Sequence, residues 1–446
     1  MARRTDYPIY SVCAIKEGCF CVAGGGGAVK TGVPNVLEIY ELSHDGVQFQ
    51  SELKHRHTFE KELIMNVALC PQKFWSTIAA SIDTSCYIFS LKKSEAGPKG
   101  NEQEGGDCAD GGSRAGETCT EEMNYEVTTV ASKTTVFSDS RDAQQKVVKF
   151  SPAGYHVITG GTDGVVRMLK YPSLAVEQEF CEEGSLDEVT DLDYHQTEPK
   201  LVSVHRNGSA VAWNVETGKQ SFKWTWSPNS TAYRFRGCGF LPTKQEKDLL
   251  LCSINIPCKW KGKEPSYLIK WNIGNSEPVS VRKTGRELLT ALAIGPSGDY
   301  LGVGSSDGSV AIYNTDLQLL TKADGIHSTF VTAVSFVPLP KAKVEQQKSH
   351  TLALVSVSAD RSFHVMLPRM TKDKQTLLLF LLLPILIIIM AVMAYVFINW
   401  YDVSKGLEAA ASQQILSTMV QICFEADLHA IYKYMARYTA VRQKKR

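Results

Sequence analysis

A turn phrase that recurs along most of the chain constrains the fold more than any other feature. In each copy, two or three apolar or small residues precede a turn dipeptide, and alternating apolar residues follow it. The dipeptide is Asp-Gly at 163–164, Asn-Gly at 207–208, Asp-Gly at 307–308 and Asp-Arg at 360–361. Asp-Gly and Asn-Gly between alternating apolar runs predict β-hairpins, because both residues adopt positive φ readily.

The spacing of these turns indicates one repeated unit. The turns begin at residues 163, 207, 307 and 360, so their spacings are 44, 100 and 53 residues. The interval of 100 accommodates a further unit at residues 249–273, whose turn is lengthened. Two earlier units lie at residues 19–42 and 78–91. Repeats of about 45 residues are typical of WD-type propeller blades. We therefore predict an all-β, seven-bladed WD-type β-propeller over residues 1–370, whose radial repetition protects the strand edges.

Several polar residues that suggest chemistry recur at equivalent places in the repeats. Asp163, Asp307 and Asp360 each begin a turn dipeptide, so we predict a turn-stabilising role rather than a catalytic one. We predict a structural role for His327 for the same reason. The pairs at 213–214, 271–272 and 313–314, Trp-Asn, Trp-Asn and Tyr-Asn, stand where WD-type repeats have Trp-Asp. Periodicity rather than motif identity therefore carries the repeat assignment.

One segment interrupts the repeats. Residues 94–122 are rich in Gly, Glu and polar residues and contain no aromatic residue. Such a segment buries too little apolar surface to order itself. We expect a disordered insertion between the second and third blades, either a tolerated surface loop or a regulatory one.

An uncharged apolar stretch at residues 376–398 predicts a transmembrane helix. As a helix it is about 35 Å long, enough to cross a hydrocarbon core of about 30 Å, and its one interruption is Pro384. Arg369, Lys372 and Lys374 precede it, whereas Lys405 alone lies close behind. Positive charge stays on the cytoplasmic side. We therefore expect a cytosolic N-terminal domain and a luminal C-terminus, with no secretory signal peptide at residues 1–10.

The last 48 residues, 399–446, have the pattern of a helical tail. Apolar residues follow at spacings of four, three, four and three from 424 to 438, which predicts one apolar helical face. That face could pack on a partner or lie on the luminal membrane surface.

Composition excludes some classes of function. The chain has 48 Lys and Arg against 47 Asp and Glu, and no basic stripe, so we do not expect nucleic-acid binding. Its 12 Cys lack paired C-x-x-C spacing and many lie in apolar runs. We therefore expect buried thiols in a reducing compartment rather than a zinc site.

The stretch with the most chemical potential is GGGGAVKTGVPN at residues 24–35. A phosphate-binding P-loop needs Gly directly before Lys30, where Val29 stands, and Gly32 and Pro34 oppose the required helix. A structural loop is one remaining interpretation, although four successive glycines are costly in chain entropy. The other is a backbone-rich finger, in which Asn35 offers a carboxamide that donates and accepts. Its carbonyl groups could also hold a hard cation.

This loop, GGGG-x-x-x-x-G-V-P-N, resembles that of the endoplasmic-reticulum exchange factors that activate the Sar-type small GTPase, also known as the prolactin regulatory element-binding protein family. The degenerate propeller and the C-terminal apolar stretch add to the resemblance, over roughly residues 7–398. The resemblance implies guanine nucleotide exchange that starts COPII coat assembly at the endoplasmic reticulum membrane. It also implies Asn35 as the catalytic residue and potassium bound by backbone carbonyls of residues 27–35. The implied GTPase-contacting residues are Gly24, Gly25, Gly26, Gly27, Gly32, Val33, Pro34 and Asn35.

Three other functions remain open from the sequence. A non-catalytic, membrane-tethered scaffold is the chief alternative, because most WD-type propellers only bind proteins. A nuclear DNA-binding regulator is disfavoured by the net charge of +1 and the apolar stretch. An NTPase is the weakest of the three, since the P-loop pattern fails. The long tail after Trp400 departs from family members that end soon after the span.

Overall fold

The fold is described from a computed structural model. The structure describes residues 2–27, 32–44, 49–60, 62–71, 76–94, 124–140, 142–182, 187–242, 250–339, 352–368 and 387–399, with Ser417 and Gln421. The chain divides into two compact units, Met1–Met370 and Thr371–Arg446. In the first unit, seven four-stranded antiparallel sheets follow one another as the blades of a β-propeller.

The first three blades span residues 9–180. Blade 1 contains β2 (Ile9–Lys16), β3 (Cys19–Gly24), β4 (Asn35–His44) and β5 (Phe49–Phe59). Blade 2 contains β6 (Ile64–Leu69), β7 (Thr77–Ile82), β8 (Ser85–Ser94) and β9 (Asn124–Thr134). Blade 3 contains β10 (Gln145–Phe150), β11 (His156–Gly161), β12 (Val166–Lys170) and β13 (Ala175–Phe180).

The next three blades span residues 189–323. Blade 4 contains β14 (Val189–Tyr194), β15 (Lys200–His205), β16 (Ala210–Asn214) and β17 (Gln220–Trp224). A short 3-10 helix (Pro228–Ser230) leads to blade 5, which contains β18 (Tyr233–Phe240), β19 (Leu250–Pro257), β20 (Tyr267–Asn272) and β21 (Glu277–Lys283). Blade 6 contains β22 (Leu289–Ile294), β23 (Tyr300–Ser305), β24 (Val310–Asn314) and β25 (Leu319–Ala323).

The seventh blade closes the ring with both ends of the propeller sequence. It contains β26 (Val331–Pro338), β27 (Leu352–Ser358), β28 (Ser362–Met366) and, as its outer strand, the N-terminal β1 (Ala2–Arg4). Ala2 pairs with His364 and Arg4 with Ser362, and the Thr5 amide donates to the Arg361 carbonyl at 2.8 Å. The first strands of adjacent blades, including β26 and β2, contact one another around the ring.

The hydrophobic core lies between adjacent blades. Second strands such as β7 and β27 are buried along their whole length, because each is covered on both faces. At the closing junction, Phe20 of blade 1 meets Phe363 of blade 7 edge to face, with ring centroids 5.3 Å apart. Burial on both faces explains why apolar residues follow one another in these strands, with some buried Ser and Thr, instead of alternating with exposed polar ones.

Every hairpin predicted from a turn dipeptide is present between the second and third strands of a blade. Gly164, Gly208 and Gly308 have φ of +75°, +96° and +80°, and Arg361 has φ of +65°. The lengthened turn of blade 5 is also confirmed, as residues 258–266 between β19 and β20. These connections share one side of the ring, which we call the loop face: residues 24–35, 83–84, 162–165, 206–209, 258–266, 306–309 and 359–361.

The structural roles predicted for the repeated polar residues are confirmed. Asp307 accepts from the amide of Ser309 at 3.0 Å, and Asp360 accepts from the amide of Ser362 at 3.0 Å. Buried His327 contacts the hydroxyls of Ser362 and Ser356, each at 2.9 Å, and so ties the turn to the core of blade 7.

The Trp residues of the degenerate dipeptides also have a structural role. The indole of Trp213 donates to the Ser203 hydroxyl at 2.8 Å, and that of Trp271 donates to Ser253 at 2.8 Å. The same bond in two blades supports the repeat assignment, and neither serine stood out in the sequence.

The polar insertion lies elsewhere than predicted. β8 ends at Ser94 and pairs with β9, which begins at Asn124, so the insertion joins the third and fourth strands of blade 2. The prediction that it separates blades 2 and 3 was therefore wrong. The sequence did not reveal this because the strand pairing that spans the insertion is non-local. Residues 95–123 lie outside the described residues, so the predicted disorder of 94–122 stays a prediction.

The described cysteines fit the expectation of buried thiols. Nine are free, and Cys19, Cys21, Cys70, Cys86, Cys238 and Cys252 are buried. Burial raises the pKa of the Cys86 and Cys252 thiols to about 12. These two thiols therefore stay protonated and behave as small hydrophobic groups.

In the second unit, residues 387–399 form a helix whose large apolar side chains are exposed. No helix among the described residues is long and apolar enough to cross a membrane. Residues 376–386, the first part of the predicted span, lie outside the described residues. Of the predicted helical tail, Ser417 and Gln421 are described, both helical, so the span and the tail stay predictions.

Candidate functional site

The glycine-rich segment is the connection between β3 and β4 of blade 1. β3 ends at Gly24 and β4 begins at Asn35, so the segment replaces the tight turn found there in blades 2, 3, 4, 6 and 7. Residues 28–31, with Val29, Lys30 and Thr31, lie outside the described residues. Both ends of the loop are described, and they show how it is held.

The N-terminal end of the loop sits directly on the chain that enters β2. The Gly25 amide donates to the Pro8 carbonyl at 3.0 Å. A Cβ atom at Gly24 would lie 2.0 Å from that carbonyl oxygen and 2.9 Å from the Ile9 Cα. Because these neighbours are backbone atoms, no side chain fits, and glycine is needed at this position for close approach.

Asn35 joins the two ends of the loop. Its Oδ1 accepts from the Gly27 amide at 2.9 Å, and its Nδ2 donates to the Gly27 carbonyl at 3.2 Å. The residue is 2% exposed, and Gly27 has φ of +80°. The Asn35 side chain, which the sequence offers as a polar group of a backbone-rich finger, therefore lies at the base of the loop, where it joins the two described ends.

Gly25 makes room for this arrangement. A Cβ there would lie 2.3 Å from the Asn35 Oδ1 and 2.5 Å from the Asn35 Cα. At Gly32, by contrast, a Cβ would meet no atom within 4 Å, although φ is +74°. Gly32 is exposed, while Val33 packs partly buried on the core between blades 7 and 1. The structure thus brings together Gly25, Gly27 and Asn35 and leaves Gly32 in the open.

A buried carboxylate supports the segment on which the loop rests. Glu38 of β4 is 2% exposed and accepts from the hydroxyls of Tyr7 at 2.8 Å and Tyr40 at 2.6 Å. Arg56 lies 3.2 Å from Glu38 and 2.7 Å from Asp6. These contacts hold residues 6 and 7, which lead into Pro8, against blade 1.

Burial and these contacts shift the titration of the supporting groups. Burial, followed by the nearby Glu38 charge, raises the pKa of Tyr7 far above its usual range and that of Tyr40 less strongly. The bond from Arg56 lowers the pKa of Asp6. At neutral pH the tyrosines are therefore hydroxyl donors. This network was not predicted from the sequence, in which its one signal is Glu38 between apolar residues of the strand VLEIYEL.

No family model matches the chain. It is 31% identical over 376 residues to the guanine nucleotide-exchange factor SEC12 of Rattus norvegicus, covering 80% of this chain and 88% of that protein. It is 30% identical over 375 residues to the same factor of Mus musculus, with the same coverage. The chain belongs to the SEC12 family. The family predicted from the glycine-rich loop is thereby confirmed.

Two further similarities are more limited. SEC12-like protein 1 of Arabidopsis thaliana is 25% identical to this SEC12-family chain over 170 residues, which is 38% of the chain and 39% of that protein. The crystal structure of Chaetomium thermophilum Raptor superposes with a TM-score of 0.57 at 12% identity, covering 83% of this chain and 28% of that one. The structural likeness to Raptor supports the fold alone.

Proposed function

We propose that this chain is a guanine nucleotide-exchange factor that loads a Sar-type small GTPase with GTP. The observation that carries the proposal is the 31% identity, over 80% of the chain, to a protein named a guanine nucleotide-exchange factor. An exchange factor makes no covalent bond. It binds the nucleotide-free GTPase more tightly and, by reciprocity, weakens nucleotide binding by the same factor. Each tenfold gain in release needs about 1.4 kcal/mol of differential contact.

The glycine-rich loop is the part of the chain that we propose contacts the GTPase near its nucleotide. The contacts between Asn35 and Gly27 hold the base of the loop before any encounter, so less conformational entropy is lost there on binding. We assign Asn35 as the residue on which exchange depends. In the free protein the oxygen and the nitrogen of its carboxamide each bond to Gly27, so its first task is to hold the base of the loop. Direct contact with the GTPase requires Asn35 to become uncovered, because the residue is 2% exposed in the free protein.

A potassium ion fits the donor chemistry of this loop. Residues 24–35 contain no Asp or Glu, so their donors are backbone carbonyls, the Thr31 hydroxyl and the Asn35 carboxamide oxygen. Neutral oxygen donors suit a weakly charged, hard cation better than a transition metal. In the described part of the loop, backbone carbonyls among those of Gly27 and residues 32–35 would hold it. When bound, the ion supplies positive charge beside the nucleotide phosphates.

We propose that the chain acts at the endoplasmic reticulum membrane, where the loaded GTPase starts COPII coat assembly. The supporting observation is the helix at residues 387–399, in which Ile388, Met390 and Phe397 are 62%, 67% and 64% exposed. Large apolar side chains in water favour burial in a partner or a membrane. Placement of the propeller in the cytosol and of the C-terminus in the lumen follows the charge asymmetry around residues 376–398.

The test is the release of fluorescent GDP from a purified Sar-type GTPase by the full chain in neutral-detergent micelles. We expect the chain to accelerate release, with a rate that rises with its concentration and saturates. A chain that binds the GTPase without accelerating release would be a tethered scaffold, and the proposal would fail. ATP or GTP binding by the chain itself would point to the NTPase alternative.

A further inference from the structure

Blade 5 carries a concentrated positive charge on the loop face. Residues 259–286 contain seven Lys and Arg against two Glu, a net charge of +5, in a chain whose total is +1. Six of these cations are exposed at the end of the blade that includes the loop between β19 and β20: Lys259, Lys261, Lys263, Arg282, Lys283 and Arg286. We call these six residues and Trp260 the blade-5 patch.

The cations of the blade-5 patch are not neutralised within the described part of the chain. None of the six forms an ion pair there within 4.0 Å. Glu264 is the acidic residue of the same loop, and its carboxylate accepts from the amides of Lys261 at 2.8 Å and Lys263 at 3.4 Å. It is therefore turned toward the backbone, and the lysine side chains are left to solvent.

Hydrogen bonds to the backbone hold the residues of the blade-5 patch and its supporting strands in place. The Trp260 indole donates to the Arg286 carbonyl at 3.0 Å, although the ring is 51% exposed. The Ser266 amide donates to the Gly285 carbonyl at 3.0 Å, and the Ser266 hydroxyl to the Glu287 carbonyl at 2.8 Å. The register of β20 and β21 sets Tyr267 opposite Lys283. An exposed indole and exposed cations on a rigid support are typical of a binding surface.

The position of the blade-5 patch indicates what it binds. A stable protein interface uses roughly 800 Å² and 20 to 30 residues on each side. Residues 24–35 include five glycines and cannot supply that surface alone. The rest must come from other connections on the same side of the ring. The loop between β19 and β20 is in the same position in blade 5 as the glycine-rich loop in blade 1.

We propose that the blade-5 patch is a second docking site for the GTPase and receives an acidic region of its surface. This inference rests on the proposed function. Exposed charges act mainly on the encounter rate, and a large aromatic side chain acts mainly on the dissociation rate. The blade-5 patch therefore sets how often and how long the GTPase is held, while the glycine-rich loop acts on the nucleotide.

The experiment measures GDP release over a range of concentrations of the full chain in neutral-detergent micelles, at low and at high salt. For the variant K259A/K261A/K263A we expect kcat/KM to fall about tenfold at low salt, with kcat within twofold of wild type and a flatter salt dependence. Trp260→Ala should raise KM at both salt concentrations. K92A/K170A/K219A removes the same charge from exposed positions at the other end of the third strands and should match wild type.

Each other outcome has a definite meaning. If K259A/K261A/K263A has the same kcat/KM as wild type at low salt, the proposal is overturned. An equal loss of kcat/KM in the control variant also overturns it. If the same variant loses binding only to vesicles with phosphatidylserine, the blade-5 patch binds lipid instead. If the wild-type chain does not accelerate GDP release, the proposed function fails. Binding of the GTPase to the immobilised full chain then tests the blade-5 patch separately. Equal binding by wild type and K259A/K261A/K263A would overturn the proposal for the blade-5 patch.

Discussion

Asn35 and Gly27 bond to each other through both polar groups of the Asn carboxamide and both polar groups of the glycine backbone. The pair closes the glycine-rich loop at its base, eight residues apart in sequence. An amide that donates and accepts toward one residue resists rotation, because each bond restricts the geometry of the other. The finding changes the expected action of Asn35 from a projecting group to a group that positions the loop.

Replacement of Asn35 tests this role directly. Asn35→Ala removes both bonds to Gly27, so we expect at least tenfold slower GDP release and a loss of about 1 to 2 kcal/mol in unfolding free energy. Asn35→Asp keeps an acceptor for the Gly27 amide but loses the donor, and we expect an intermediate rate. Release rates and urea unfolding measure the two effects. Wild-type release by Asn35→Ala would contradict the assignment.

Substitutions at two glycines distinguish the effect of loop geometry on exchange from the effect of the Asn35 side chain. Gly25→Ala places a Cβ 2.3 Å from the Asn35 Oδ1, so the carboxamide must move although it is still present. We expect an exchange defect close to that of Asn35→Ala. Gly325→Ala is the control outside the loop, because Gly325 also has positive φ, +55°, and a Cβ there would meet no atom within 4 Å. If Gly25→Ala exchanges normally and folds, the shape of the loop base does not matter for exchange.

The potassium proposal predicts a dependence on the cation present. We expect GDP release to slow severalfold when choline chloride replaces potassium chloride at equal ionic strength. Hydrogen exchange of the Gly25 to Gly27 amides should be slower in potassium than in choline, because a bound ion orders the loop. The same amides in Asn35→Ala should show a smaller difference. Equal release and equal protection in both salts would exclude the ion.

Glu38 predicts a large stability effect next to the loop. Glu38→Ala leaves the hydroxyls of Tyr7 and Tyr40 without their acceptor and Arg56 without one of its two carboxylates. We expect a loss of about 3 kcal/mol in unfolding free energy, and a smaller loss for Glu38→Gln. Glu41→Ala is the control on the same strand, since its 3.6 Å contact with Lys54 is longer and Glu41 is half-buried rather than buried. If Glu38→Ala lowers the unfolding free energy as little as Glu41→Ala does, the role of the buried network is contradicted.

The closing blade predicts loss of stability in acid. Burial, followed by the neighbouring His327, lowers the pKa of His364 to about 4. The folded state therefore favours the neutral ring, while the unfolded state takes up a proton below its ordinary pKa of about 6.5. This contribution is complete above about pH 6.5 and is lost as the pH falls toward 4.

Thermal unfolding at pH 7 and pH 5 measures this contribution. We expect the drop in midpoint between the two to be smaller for His364→Gln than for wild type. His156→Gln replaces a partly exposed ring paired with Glu177 at 2.6 Å and serves as the control. An unchanged pH dependence in His364→Gln would show that this ring does not titrate with unfolding.

The local parts of this protein are determined by the sequence alone. In each Asp-Gly and Asn-Gly pair the glycine, and not the residue before it, adopts positive φ at no steric cost, so the hairpins at Gly164, Gly208 and Gly308 follow from glycine's dihedral freedom and apolar alternation. The number of blades follows from the period of those hairpins. The glycine-rich loop and its family were also readable, because a rare string of residue types carries that signal.

Only the tertiary structure decided what depends on distant residues. The pairing of Ala2 with His364, the placement of the insertion inside blade 2, and the support of the loop by Pro8 and Glu38 all join segments whose proximity no local preference encodes. The same is true of Asn35, whose residue type indicated a polar contact but not its partner. Local propensity acts within a few residues. Burial and strand pairing act between residues that are far apart in sequence, and they determine which residues form the base of the loop.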